Sequence, residues 1–339
     1  MKIKSIKLHK LVKKSLEALL PLVVGTFVMV WVYRDFDFSS VKGVLLGMHW
    51  EWLLLSLVVA VFSHIIRGIR WQLTLHPLNA YPRTSVSINA VFISYAANLL
   101  LPRVGELSRC AVLSKYEGIS FSKSLGTLVS ERLVDGLCVL LITISALVVR
   151  IERFDSFFAM TGTDLHNFGA IFLSVRFYVI LVAGIGLLVL LFFLARSLFF
   201  WDKIKEVAHN MWVGILSIRH TKHLTLYILE TIAIWVCYFL QFYLPFYAFD
   251  FTAELGFWAA MVAFVAGSFA IIVPTPNGAG PWHYAVITVL VLYGVDGHDA
   301  ATFALLVHAI QTLLVIVLGI YGLAALAMIH KNKTNTELL

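Results

Sequence analysis

SLGTLVSERLVDGLCVLLITISALVV, residues Ser124–Val149, is the stretch on which the fold turns. It is long enough to cross a bilayer, for which a helix needs about 20 predominantly apolar residues. Yet Glu131, Arg132 and Asp135 fall close together near its start. A charge near the bilayer centre costs at least about 2.5–3.5 kcal/mol on insertion scales, so three together are poor decoration. They are expected to face the interior of a helical bundle and pair there. The pairing is either a structural ion pair near head-group level or part of a polar site.

Similar long runs lie on both sides, at Ser15–Tyr33, Glu51–Leu75, Val175–Phe199, Leu224–Phe249, Leu255–Val273 and Ala300–Met328. Two shorter apolar stretches, Val86–Leu101 and His283–Tyr293, are interleaved and read better as re-entrant or half-helices. The whole chain agrees. Its 339 residues are 60% apolar and 13% charged, against about 45–50% and about 25% for a soluble domain. An all-α polytopic membrane protein follows, with about seven full spans, two short helices and an inverted-repeat-like plan. Soluble, disordered, collagenous and disulfide-scaffold classes are excluded.

Charge sets the expected sidedness. Lys2, Lys4, Lys7, Lys10, Lys13 and Lys14 precede the first run and place residues 1–14 in the cytoplasm. That run ends in Tyr33-Arg34-Asp35 without a small-residue cleavage site, so it reads as an uncleaved span. No Lys or Arg occurs from Ala248 through His330, whereas Lys331 and Lys333 follow the last run. Residues 15–330 are therefore expected to form one membrane domain, and residues 331–339 a short cytoplasmic tail. Both termini face the cytoplasm of a prokaryotic inner membrane in this reading. The net charge of +7 fits basic loops and argues against a nucleic-acid partner. Cys110, Cys138 and Cys237 form no CxxC pair and suit neither a disulfide framework nor zinc.

Each short stretch adjoins a Pro–Gly break. The first is Leu101-Pro102-Arg103-Val104-Gly105-Glu106; the second runs from Pro274 through Pro276, Asn277, Gly278 and Gly280 to Pro281. Proline ends a helix and glycine lets the chain turn back. As surface loops they would be unremarkable. As broken helices facing opposite sides, they would gate a midplane site in the manner of inverted-topology transporters.

Further ionisable groups cluster around them. Arg67 and Arg70 are three apart and share a helix face, with Trp71 one turn from Arg67. They either snorkel to head groups or line a pocket. Arg103, Glu106 and Arg109 belong to the first break, and Glu106 and Arg109 are spaced to pair. Five arginines, counting Arg132, against Glu106, Glu131 and Asp135 leave two positive charges, suited to a phosphate that arginine's planar fork matches. Asn98, Asn277 and His283 are candidate neutral contacts. No metal spacing, paired-aspartate magnesium motif, nucleophile constellation or GxxxxGK[ST] is present, so no metal, cofactor or catalytic residue is expected.

Four motifs in order, Arg67-Gly-Ile-Arg70-Trp71, Asn98 through Arg109, Glu131-Arg132-Leu-Val-Asp135, and Pro274 through Gly280, resemble the lysylphosphatidylglycerol synthase transmembrane family. The resemblance spans roughly Leu16 to Met328. It implies an all-helical flippase-like domain, and for the best-known member movement of an aminoacylated phospholipid between leaflets. His283 stands where the family commonly has glutamate. The chain ends at Leu339 without a transferase domain, so it is not expected to make aminoacyl lipids. The expected activity is translocation of an anionic or phosphate-bearing lipid, passive or weakly coupled. The alternatives are an enzyme acting on a lipid or polyprenyl phosphate, and an accessory subunit of envelope biogenesis. The expected partners are a membrane lipid and, beyond it, a second copy of the chain or a separate lipid-modifying enzyme.

Overall fold

The computed structural model of the chain describes residues 20–102, 104–160, 178 and 201–337. The run Val175–Phe199, Arg103 and the basic segment 1–14 lie outside the described residues apart from Tyr178. Among the described residues the chain is helix and turn, with no strand. In chain order the helices are α1 (Leu20–Val32), α2 (Val41–Gly47), α3 (Trp50–Leu75), α4 (Thr84–Leu100), α5 (Val104–Glu117) and α6 (Phe121–Met160). They continue as α7 (Trp201–Leu216), α8 (Leu224–Tyr243), α9 (Gly256–Ala270), α10 (Pro281–Leu292) and α11 (Gly297–Glu337).

The protein is a multi-pass membrane protein. Four segments among the described residues are long and apolar enough to cross a bilayer: Trp50–Leu78, Phe121–Val149, Leu224–Ala248 and Gly297–Ile329. Over the described residues, α1, α4 and α9 are shorter apolar helices, with residues 15–19 of the first apolar run outside the description. The run Leu255–Val273, read as a full span, is shorter as a helix because Ile271, Ile272 and Val273 already turn ahead of Pro274. Along α6, Leu133, Leu137, Leu140, Leu141, Ile144 and Val148 are exposed, whereas Thr127, Ser130, Glu131 and Asp135 are buried. A helix apolar outside and polar inside is what a lipid solvent selects.

Two packed regions hold the described bundle. One joins Phe242, Phe246, Phe249, Phe303 and Trp282 to the alanine-rich inner face of α9. The other groups Trp71 and Leu75 of α3 with Val86 and Ala90 of α4 and Leu113 of α5. Small residues permit close backbone approach, as elsewhere in membranes. A Cβ on Gly319 of α11 would lie 2.3 Å from Ala96 Cβ of α4.

The tightest approach closes the α4–α5 hairpin. Asn98 Oδ1 accepts the Gly105 N–H at 2.9 Å, and a Cβ on Gly105 would sit 2.0 Å from the Ser94 carbonyl oxygen. Backbone cannot yield as a flexible side chain can, so Gly105→Ala should destabilise the fold by about 1–3 kcal/mol. The check is the midpoint of thermal unfolding in detergent. Gly43→Ala, in open space on α2, should leave that midpoint unchanged; an equal loss in both variants would refute the close-approach argument.

Candidate functional site

Three helices bring the charges together. Arg67 and Arg70 of α3 share a face and both reach Asp135 of α6. Arg67 Nη2 donates to Oδ2, and Arg70 Nη2 donates to Oδ1 at 3.1 Å. Arg70 Nη1 also donates to the Thr231 hydroxyl of α8 at 2.9 Å, and its Nη2 lies 4.0 Å from Glu131 Oε2. Arg109 of α5 donates from Nη1 to Glu131 Oε2 at 3.1 Å. Its guanidinium lies over the Trp71 ring at 3.8 Å from the centroid, and the Trp71 N–H donates to the Thr127 hydroxyl. The stack fixes the plane of the guanidinium fork and so the direction of its hydrogen bonds.

Burial decides between the two readings of these arginines. Arg67, Arg70 and Arg109 are only 2%, 0% and 2% exposed. The snorkelling alternative for Arg67 and Arg70 is therefore corrected: both turn inward, held by Asp135. The expected Glu106–Arg109 pair is corrected too. Arg109 points into the bundle toward Glu131, whereas Glu106 stays near the surface and lies 3.5 Å from Arg132 Nε. Sharing a helix face was a weaker constraint than the carboxylate that α6 places opposite.

The charge balance can be counted. Among the described residues, three buried guanidinium groups (Arg67, Arg70, Arg109) against the two carboxylates that pair with them (Glu131, Asp135) leave one positive charge, 3 − 2 = +1; Glu230 of α8, whose Oε2 is buried, forms no ion pair with them. Arg132 and Glu106, both about two-fifths exposed, offset each other, and Arg132 Nη1 also lies 3.6 Å from Asp135 Oδ2. Among the described residues, Arg67 Nε and Arg109 Nε and Nη2 have no hydrogen-bond partner. The cluster thus retains donor capacity.

Beside it opens a cavity of about 480 Å³, within the roughly 300–1,000 Å³ typical of small-molecule sites. Arg67, Arg132 and Asp135 line it together with Asn277 of the second break and Trp282 of α10. Gln241 of α8 and Gln311 of α11 also line the space. One cavity therefore joins residues of the second break to the charges packed beside the first.

The second break is tightly specified. Asn277, Gly278 and Gly280 all have positive φ, at 51°, 73° and 91°. Glycine and asparagine are the residues that accept this region. Asn277 Nδ2 donates to the Thr312 hydroxyl at 2.9 Å, and its backbone carbonyl accepts from His308 Nε2 at 3.0 Å. Pro276 sits at the start of a single 3₁₀ turn, and the Thr275 N–H ahead of it donates to the Val273 carbonyl across Pro274. Pro281 opens α10, where the Gly280 N–H donates to His283 Nδ1 at 3.3 Å.

The structure sorts the expected contact residues. Arg67, Arg132 and Asn277 line the cavity. Arg70 and Arg109 stand behind it as partners of Asp135 and Glu131. Asn98 is engaged by Gly105, with Pro102 in the turn between them. His283 is 1% exposed, packs tilted against the His308 ring with centroids 4.4 Å apart, and does not line the cavity. Arg103 lies outside the described residues. Sequence reasoning missed Tyr95, Trp235, Tyr238, Gln241 and Gln311, all lining residues. The two glutamines carried a signal, since amides within apolar runs seek partners. The aromatic residues carried none among 9 Trp, 12 Tyr and 25 Phe.

Comparison with known families now bears on the site. A family model described as the lysylphosphatidylglycerol synthase TM region matches residues 18–319. No curated protein matches the chain.

Proposed function

This chain belongs to the lysylphosphatidylglycerol synthase transmembrane family, and from that membership and the cavity we propose that it moves a phosphate-bearing lipid between leaflets. The observation that carries the reading is the cavity wall of Arg67, Arg132 and Asn277, backed by a buried cluster with one positive charge in excess. A lipid phosphodiester brings one negative charge. Arg132 meets it first, being partly exposed, and Arg67 holds it deeper, with the Asn277 amide as a further donor in the lining. Acyl tails stay in the bilayer while the head group passes through a space that is neither hydrocarbon nor bulk water.

The two breaks act as gates in this proposal, one toward each face, with Pro102–Gly105 and Pro274–Gly280 as the turning points. Asp135 and Glu131 are both engaged by arginine, the first by Arg67 and Arg70 and the second by Arg109, which gives them a structural part in this proposal. Translocation is therefore passive, driven by the lipid's own gradient. The setting is a prokaryotic cytoplasmic membrane with both termini on the cytoplasmic side, as the basic flanks indicate.

The test is a leaflet-accessibility assay with purified protein in vesicles containing acyl-labelled phosphatidylglycerol. Quencher added outside should extinguish nearly all the label within minutes, against about half in protein-free vesicles, and thin-layer chromatography should show the lipid unchanged. Persistence of the half-protected pool would refute translocation. A new lipid product would replace it with the enzymatic reading.

A further inference from the structure

Resting on the translocation reading, we infer that the cargo's head group carries a neutral polyhydroxyl substituent on its phosphodiester, a glycerol or sugar, and not a cationic aminoacyl group. Charge is the first argument. The carboxylate on the cavity wall is Asp135, and it already meets Arg67 and Arg70, with Arg132 beside it. Glu131 lies behind the wall against Arg109, Glu106 faces Arg132 from outside it, and Glu230 of α8 is not on it. Among the described lining residues, an ammonium group entering the cavity would meet an excess of guanidinium and no free carboxylate. Once a phosphodiester has offset the single excess charge, 1 − 1 = 0, the remaining wall accommodates an uncharged group.

The chemistry of that remaining wall is the second argument. It presents the amides of Gln241, Gln311 and Asn277, the Ser268 hydroxyl, and the Trp235 indole. Amide groups donate and accept, as hydroxyls do, so amides and a polyol complement each other. Trp235 Nε1 is buried without a hydrogen-bond partner among the described residues, and an indole N–H only donates. It can meet a hydroxyl oxygen; it cannot meet an ammonium. Of the aromatic rings that line the cavity, that of Tyr238 is already approached by Arg67, at 5.7 Å from the centroid.

Binding distinguishes this from the transport reading. Quenching of intrinsic tryptophan fluorescence in detergent, with Trp235 and Trp282 on the wall, is titrated with three short-chain lipids. Phosphatidylglycerol and phosphatidylmethanol are both singly anionic and differ in hydroxyls, and lysylphosphatidylglycerol adds the cation. Phosphatidylglycerol should bind at least about tenfold more tightly than lysylphosphatidylglycerol and about fivefold more tightly than phosphatidylmethanol. Replacing Gln241→Leu and Gln311→Leu together should narrow the second gap to less than about twofold. Equal or tighter binding of the lysyl lipid overturns the inference, as does a phosphatidylglycerol-to-phosphatidylmethanol gap absent in the native protein or unaltered in the double variant. Should the double variant not fold, the ranking by the native protein decides. If this ranking holds but no lipid changes leaflet in vesicles, translocation fails and the head-group assignment stands.

Discussion

Asp135→Ala should nearly abolish folded protein, whereas Asp135→Ala combined with Arg67→Met should recover much of it. Asp135 meets two buried guanidinium groups, those of Arg67 and Arg70. Removing it raises the buried excess from 3 − 2 = +1 to 3 − 1 = +2 and leaves Arg67 without a carboxylate partner. Breaking one partner out of a buried ion pair typically costs about 3–5 kcal/mol, because the other charge stays desolvated. That is comparable to the whole stability of many domains. Replacing Arg67 by an apolar side chain of similar length returns the balance to 2 − 1 = +1, and Arg70 keeps Thr231 and the nearby Glu131. The measurement is the monodisperse fraction after detergent extraction, with the thermal midpoint of whatever remains. If the single variant folds as well as the native protein, the cluster is not what locks α3 to α6. If the double variant is no better than the single, compensation of charge is not the reason.

Arg132→Ala should do the reverse, leaving the fold intact while slowing lipid movement at least about tenfold. Its side chain is 44% exposed, and its contacts to Glu106 and Asp135 are 3.5 and 3.6 Å. Pairs of this kind are worth at most about 1 kcal/mol. Asp135 retains Arg67 and Arg70, so the buried cluster survives. Loss of a charge-assisted hydrogen bond to phosphate costs about 1.5–3 kcal/mol, and each 1.36 kcal/mol is tenfold in rate. Arg132→Lys should restore part of the rate, because a point charge remains without the planar fork. Unchanged transport by Arg132→Ala would remove this residue from the path. Parallel loss of transport and folded yield would make it structural.

These two arginines differ in a way that chain order alone does not reveal. Arg67 and Arg132 both sit in apolar runs, and their presence there marks both as costly. That Arg67 is held by Asp135 deep in the cavity lining while Arg132 is partly exposed depends on how α3, α5 and α6 meet. The same holds for the glutamines. Gln241 and Gln311 are 70 positions apart, yet they share a cavity wall, and Gln311 Nε2 donates to the Gln241 carbonyl at 3.3 Å. His283 and His308 are likewise brought into ring contact, tilted to each other, by packing of α10 on α11.

Membrane character, the long helices and the two turns were legible in the linear chain because the responsible free energies are local. Transfer into lipid sums residue by residue, and proline and glycine act on their own dihedral angles. The pairing of Arg109 with Glu131 in place of Glu106, the retreat of His283 from the cavity, and the single surplus charge were decided in three dimensions. Each depends on which side chain a second helix sets opposite, and in a medium that punishes an unpaired charge the nearest buried counter-charge prevails over the nearest neighbour in sequence.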